Sequence, residues 1–580
     1  MKQYTWVEPE ISKQVDEIEL WSKQFGIHAK LVPLLWNRGI LTFENAKIFF
    51  TPSTSNLHNP FLMADMQKAV DRLALALDTN QKILVYGDYD VDGTTAVAMV
   101  YSFLKSCNAQ VKYYVPDRYT EGYGVSIQGM DYAIQHSCNL IITLDCGIKA
   151  HRAIEYVTQA GIDVIVCDHH EPAETLPPAY AVLDPKRDDC NYPFKELSGC
   201  GVDYKFLYAL CEQRSISIKE NLNCYMDLLA ISIASDIVPI VDENRVLIYF
   251  GLLKIMRKPH LGIKAITETS GIFGPITVSD VVFKIGPRIN AAGRMYNAKT
   301  VIELLISDNY EKAVDICKQI QEYNISRRAI DKSITDEAIA MLENDEQTAF
   351  KKTNVLYKPS WHKGVIGIVA SRVLEQFYKP TVIFCGEGDI ISASARSVAE
   401  FDLYKALEQC SDLLVNYGGH TFAAGMSMEK QYLPQFIERF ETIVSQSITE
   451  DALQPKILID AELNIDDITL QLYEDMMRFA PFGPQNMTPV FMIRGLCDTG
   501  KSKIMGNDQR HVKLELMSSG KSTKSIEAIG FGLAHTWKQI SKTHSNIDIC
   551  FTIREHEFRN IKSLQLELRD IRPHIDYSQV

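Results

Sequence analysis

Ile83-Leu84-Val85-Tyr86-Gly87-Asp88-Tyr89-Asp90-Val91-Asp92-Gly93-Thr94-Thr95-Ala96 decides how this 580-residue chain is read. Its first four residues, apolar with a β-branched bias, predict a buried strand. Thr95 onward (Ala96, Val97, Ala98, Met99, Val100, Phe103, Leu104) predicts an apolar helix. The acids fall in the turn between. If that turn stays extended, side-chain alternation points Asp88, Asp90 and Asp92 the same way. Three carboxylates on one side repel unless cations stand between them, and hard oxygen donors favour Mg²⁺ or Mn²⁺. The alternative is a solvated acidic turn.

The pattern recurs, which favours the metal. Leu140-Ile141-Ile142-Thr143-Leu144 runs into Asp145-Cys146-Gly147, and Val164-Ile165-Val166-Cys167 runs into Asp168-His169-His170. Ligands of an open parallel sheet bind beyond the carboxyl ends of its strands. Three apolar strands that each deliver metal-type donors at that end predict an α/β fold with a metal site at the sheet's edge.

These residues resemble a known family. Gly87-Asp88-Tyr89-Asp90-Val91-Asp92-Gly93, Asp145-Cys146-Gly147 and Asp168-His169-His170 look like the first three motifs of the DHH phosphoesterases. Two more segments resemble its branch of RecJ single-strand exonucleases. They are Ile285-Gly286-Pro287-Arg288-Ile289-Asn290-Ala291-Ala292-Gly293-Arg294-Met295 and Tyr417-Gly418-Gly419-His420-Thr421-Phe422-Ala423-Ala424-Gly425. The resemblance runs from about Arg38 to the C-terminus. Asp184-Pro185, where relatives carry Asn-Pro, and the turn Leu197-Ser198-Gly199-Cys200-Gly201-Val202 depart slightly from the family pattern.

Bulk properties set limits. The length predicts several domains, and 46% hydrophobic with 23% charged residues is a globular composition. No apolar run reaches the roughly 18–20 residues of a membrane span, and Met1 to Glu8 lack the pattern of a signal peptide, so a cytoplasmic protein without membrane association is expected. Thirteen cysteines, scattered and without Cys-x-x-Cys spacing, read as small buried hydrophobes in a reducing compartment. The net charge of −13 argues against a surface coated in positive potential. Arg494 to Val580 nevertheless carry 14 Lys and Arg against 10 Asp and Glu, a mildly basic tail.

The expected order along the chain is a helical lead-in (1–60), the DHH domain with its parallel sheet (61–260), a connecting segment with a long, charged helix (261–345), a second, smaller α/β DHH-associated domain (346–450), and an OB-like β-barrel for nucleic acid (455–580). Met226 to Pro239 reads as an apolar helix interrupted by two acids. Asp236 resembles the fourth metal motif, whereas Asp227 is either a second-shell group or an N-terminal helix acid. Gly495-Leu496-Cys497-Asp498-Thr499-Gly500-Lys501-Ser502 spells a phosphate loop, but no helix is expected after it, so it reads as a hairpin and no ATP requirement is predicted.

The ligand set Asp88, Asp90, Asp92, Asp145, His169 and Asp236 is enough for two Mn²⁺ or Mg²⁺ ions, with Asp145 bridging. Which two of Asp88, Asp90 and Asp92 bind directly stays open, family analogy favouring the first two. His170 would be the acid or electrophile nearest the leaving group and Asp168 would orient its neighbours. What the resemblance implies is a monomeric 5′-to-3′ exonuclease that cuts single-stranded DNA to 5′-mononucleotides in repair and recombination, with a single-strand-binding protein and a helicase as partners. Arg118, Arg288, Arg294, Ser394, Arg396, Gly418, Gly419 and His420 would grip the backbone or 5′ end. Two other classes are a phosphodiesterase for short substrates, disfavoured by length, and a DNA-binding scaffold, disfavoured by the intact carboxylates.

Overall fold

The computed structural model describes residues 4–8, 15–118, 120–122, 124–295, 297–518, 524–542, 544–558 and 561–575, without the side chains at 15, 294, 295, 557, 558 and 561. They form two compact units, one of residues 54–454 and one in which 3–53 join 455–580.

After the helix Met66–Asp78, the larger unit builds a sheet of five strands. Their order in the sheet is Gln110–Tyr114, Lys82–Gly87, Leu140–Leu144, Asp163–Cys167, Ala181–Leu183, all parallel. The chain starts in Lys82–Gly87, moves out to one side, then returns to build the other. The reversal therefore lies between Lys82–Gly87 and Leu140–Leu144, where the loops at the carboxyl ends part and leave a crevice. Leu140–Leu144 is buried at every position, as a strand covered on both faces must be. Ile83, Val85, Ile142 and Ile165 pack with the helices Val91–Ser106, Gly199–Gln213 and Met226–Ser235. Leu84, Tyr86, Ile141 and Val164 face the opposite way, onto Ile154 and Val157 of helix His151–Gln159.

The expected connecting helix is Tyr310–Asn344, 35 residues and about 52 Å long. It is not solvated all round. Ile316 and Ile320 join the core of the first domain, and Ile334, Ala338 and Leu342 join that of the second. Most of the charged residues that suggested a solvated rod occupy its outer face, whereas Arg327 and Asp331 are buried.

The second domain has a sheet ordered Asn416–His420, Ala423–Glu429, Ile390–Arg396, Thr381–Cys385, Asn354–Tyr357, in which only the last pair is parallel. Helix Ile366–Phe377 packs its apolar face, with Val369, Ala370 and Val373, on this sheet.

In the smaller unit, Phe491–Asp498, Asn546–Phe558, Ile561–Pro573, Ser525–Gly530 and His511–Ser518 pair in turn. Leu496 opposite Ser518 closes the ring, which gives the five-stranded barrel of an OB fold. Trp21, Leu34, Leu35 and Phe49 from the lead-in share this barrel's core. The strand Thr5–Val7 pairs with Lys456–Leu458. Among the described residues no helix follows the phosphate-loop spelling. Lys503–Met505 is a strand paired with the one from His511, and the Lys501 amine sits 3.1 Å from Glu515.

Candidate metal centre

Each acid reaches the crevice because a strand or helix ends there. Asp90 caps helix Val91–Ser106, accepting from the Gly93 amide at 3.0 Å. A Cβ on Gly93 would lie 2.6 Å from the Asp88 carbonyl oxygen, so the turn closes this tightly only over glycine. Asp145 follows its strand in a left-handed conformation (φ 58°), the kind of backbone found where function over-determines a position. Gly199 makes room for it, since a Cβ there would come within 2.6 Å of the Asp145 side chain. Asp236 ends helix Met226–Ser235.

Three overlapping groups could each hold a cation: Asp88, Asp90 and Asp145; Asp92, His169 and Asp236; Asp145, His169 and His170. Asp145 belongs to two of them, as a bridging carboxylate would. His169 Nδ1–H donates to the Leu197 carbonyl at 2.9 Å. Nε2 is then unprotonated, 3.2 Å from Asp145, 3.6 Å from Asp236 and 3.9 Å from Asp92. A lone pair facing three carboxylates is repulsive unless a cation lies between. Both oxygens of Asp88 and Oδ1 of Asp145 are buried with no hydrogen bond among the described residues. Buried polar atoms are otherwise almost always satisfied. Oxygen donors with one imidazole suit Mg²⁺ or Mn²⁺, so the residues fit the ions expected of them.

The electrostatics agree. Burial, then the neighbouring charge of Asp90, pushes Asp88 well above the carboxylate range. Asp145 and Asp236 are raised by burial and then by Asp92. Bound cations reverse that logic. Asp92 differs from Asp88 in having hydrogen-bond donors of its own. It accepts from the Gly199 and Cys200 amides at 2.7 and 2.9 Å, at the N-terminus of helix Gly199–Gln213, and from Ser232 at 2.7 Å.

Asp168 faces away from the acids. Its Oδ1 accepts from the His169 amide and from His170 Nδ1 at 2.7 Å, and its Oδ2 from the Ile148 amide. Burial works to raise it, but the His170 hydrogen bond and charge outweigh burial and hold it at about 2. Burial works to lower His170, and the Asp168 hydrogen bond and charge prevail, raising it to about 9. His170 is therefore an imidazolium at neutral pH.

The proposed backbone-binding residues divide. Ser394, Arg396, Gly418 and His420 share one face of the second sheet, since Arg396 pairs with Ala423 and Ala423 with His420, and Ser394 with Gly425 and Gly425 with Gly418. The His420 ring lies 6.1 Å from that of His170 at an angle of 16°, which brings this face to the acidic cluster. Gly419, beside it, has φ 149°, and a Cβ would meet the Ala423 carbonyl at 2.3 Å. Arg396 binds Ser394 Oγ at 3.0 Å and the Ala395 carbonyl at 2.8 Å rather than a carboxylate. Arg118 stands over the Tyr89 ring at 5.3 Å, in a cavity of about 180 Å³ that also meets Glu121 and Lys299. Arg288 turns toward the long helix, to Gln321 at 2.8 Å. The side chain of Arg294 lies outside the described residues.

One reading needs correcting. Asp227 sits at the far end of its helix from Asp236, about 13 Å along the axis. Its carboxylate takes His260 Nδ1 and the His260 amide, both at 2.8 Å, with Lys254 at 3.6 Å. It is a helix-end acid and not a second-shell group. The groups that touch His169 and Asp92 are instead the Leu197 carbonyl, the Gly199 and Cys200 amides and the Ser232 hydroxyl. Ser198 caps its helix, and the Ser-Gly-x-Gly spelling was the available signal for that helix start.

Three family descriptions match the chain: the DHH family, N-terminal domain, at residues 82–233, the DHHA1 domain at 351–446 and the RecJ OB domain at 459–570. The single-stranded-DNA-specific exonuclease RecJ of Bacillus subtilis (strain 168) is 34% identical over 96% of this chain and 69% of its own length. The protein of the same name from Haemophilus influenzae is 32% identical over 89% of this chain and 92% of its own length. The chain belongs to the RecJ family. Among solved RecJ structures, that from Thermus thermophilus with Mn²⁺ shares the fold with a TM-score of 0.84 at 24% identity, covering 98% of this chain and 80% of that one. An exonuclease RecJ bound to manganese has a TM-score of 0.58 at 32% identity, covering 67% and 96%. RecJ relatives thus span the metal-site half, the second α/β domain and the barrel alike.

Proposed function

We propose that the chain is a metal-dependent exonuclease that hydrolyses single-stranded DNA from the 5′ end to 5′-mononucleotides, in repair and recombination. The observation that carries this reading is the cluster of buried carboxylate oxygens without donors, set beside an imidazolium. Asp88, Asp90, Asp92, Asp145, His169 and Asp236 would hold two Mn²⁺ or Mg²⁺ ions, Asp145 shared between them. Such ions acidify a water and offset phosphate charge.

The chain's own residues do the rest. His169 keeps Nε2 free for coordination because Leu197 takes the Nδ1 proton. Asp168 fixes the His170 ring through Nδ1, so that Nε2–H is presented to the leaving oxygen and donates as the P–O bond breaks. Ser394, Arg396 and His420 hold the phosphate backbone from the second sheet, and Arg118 does so from the first, stacked on Tyr89. No serine or cysteine nucleophile is required. A single-strand-binding protein, a helicase and a cytoplasmic setting accompany this reading. Among the described residues no helix is long and apolar enough to cross a membrane.

The test is digestion of a long 5′-phosphorylated single strand labelled at either end, with Mn²⁺ or EDTA and no ATP, beside Asp145→Ala. Mononucleotides released from the 5′ end, lost with EDTA and in the variant, are expected. Cleavage of di- to pentanucleotides alone, with long DNA inert, overturns it.

A further inference from the structure

We propose that Asn244, eight residues after Asp236 and outside the quoted motifs, is the residue that positions two halves of the metal site by tying their backbones together; the inference rests on the nuclease reading above. Asn244 lies in the first turn of helix Asp242–Arg257 and is fully buried. Its Nδ2 donates to the Glu196 carbonyl at 2.6 Å and to the Pro239 carbonyl at 3.0 Å. Both partners are carbonyl oxygens, so the amide nitrogen must face them and both of its protons are used. Its Oδ1 has no partner among the described residues, so donation is the whole of its polar role.

What hangs from those two carbonyls gives the tie its meaning. Glu196 immediately precedes Leu197, whose carbonyl sets the His169 tautomer, and leads into the Gly199 and Cys200 amides that hold Asp92. Pro239 lies three residues after Asp236. Between them Ile237 has φ 62° and is 62% exposed. A β-branched residue in the left-handed region is strained and has no packing there to hold it. The Asn244 amide restrains that turn beside the buried Val238 and Ile240. Without the amide the turn loses its polar hold, and relaxation of Ile237 toward negative φ shifts Asp236 relative to His169, 3.6 Å off.

The variant is Asn244→Asp, which keeps the shape and leaves at most one donor, the O–H of a protonated carboxyl, for the two carbonyls. Asn486→Ala is the control. Asn486 is equally buried and donates in the same way to two carbonyls, of Phe479 and Pro481 at 2.8 Å each, but in the barrel unit. Mn²⁺ binding to the full chain is measured by calorimetry, together with the metal-free melting temperature. Asn244→Asp should bind Mn²⁺ about 10–100-fold more weakly, the range for outer partners of metal ligands. Its nuclease activity should recover as Mn²⁺ is raised. Asn486→Ala should melt earlier and bind Mn²⁺ as the wild type does. Wild-type Mn²⁺ affinity in Asn244→Asp sinks this inference alone. Absence of Mn²⁺ binding by the wild type sinks the metal reading and the inference with it. If Asn244→Asp does not fold, Asn244→Ser, which keeps one donor proton, is measured with about a threefold loss expected. Failure of both to fold marks Asn244 as a packing residue and overturns the proposal.

Discussion

Two buried ionic regions of the first domain are built on opposite principles. Around Lys205 every charge is matched. Its amine reaches Glu243 at 2.8 Å and the His58 carbonyl at 2.5 Å, Tyr192 donates to the other Glu243 oxygen at 2.5 Å, and both charged side chains are fully buried. Around Asp145 the carboxylates face one another and an unprotonated imidazole nitrogen. The first region is complete as protein. The second is complete only with cations supplied from outside, and that difference separates a structural ion pair from a reaction centre.

The comparison can be broken in several ways. Asp145→Asn should reduce nuclease activity about 10⁴-fold, roughly 5 kcal/mol of transition-state stabilisation, yet leave the metal-free melting temperature unchanged or raised, because a repelling buried charge is gone. A fall of several degrees without metal would mean that the carboxylate is structural. Glu243→Ala should do the converse, costing about 3–5 kcal/mol of stability by stranding the Lys205 charge, while Mn²⁺ affinity stays within about twofold. Loss of Mn²⁺ binding in a chain that still folds would erase the distinction. Metal removal sharpens it. Mn²⁺ at 100 times its Kd should stabilise the wild type by about 2.7 kcal/mol, and Asp145→Asn by far less, read from melting with and without EDTA.

The smallest effect is on pH. His170 is raised to about 9 from an ordinary 6.5, so the stability its imidazolium contributes is complete below pH 6.5 and fades as pH rises through about 9. The rate should fall over the same interval, tenfold per unit beyond it, and a flat profile to pH 10 would remove His170 as the acid. Asp168, held at about 2 against an ordinary 3.8, contributes stability above pH 3.8 that fades as pH falls through about 2. Asp168→Asn should return the alkaline limb toward neutrality.

Much of this was legible locally. Asp88, Asp145 and Asp168 could be placed because each ends an apolar strand, and the order of a parallel sheet carries those ends to one edge. The barrel was legible from its spacing of strands and turns. What escaped depends on partners distant in sequence. Asp227 and Asp236 interrupt the same apolar stretch, but His260 claims Asp227, whereas Asp236 lies 3.6 Å from His169 Nε2. Arg288 resembles a phosphate ligand in its motif, and only the fold sets Gln321 beside it. The acidic and basic residues of Tyr310–Asn344 dominated its sequence, whereas Ile316, Ile320 and Ile334 decide what it touches.

The pairing of Thr5–Val7 with Lys456–Leu458 has a consequence for how the protein comes into being. About 450 residues separate the two strands, and at 5–20 residues per second a ribosome takes roughly 20–90 s to make them. Through that interval the lead-in's Trp21, Leu34, Leu35 and Phe49 have no barrel to enter, while the metal-site domain can already be assembled. The newborn chain therefore carries an apolar arm without its partner until the barrel is translated.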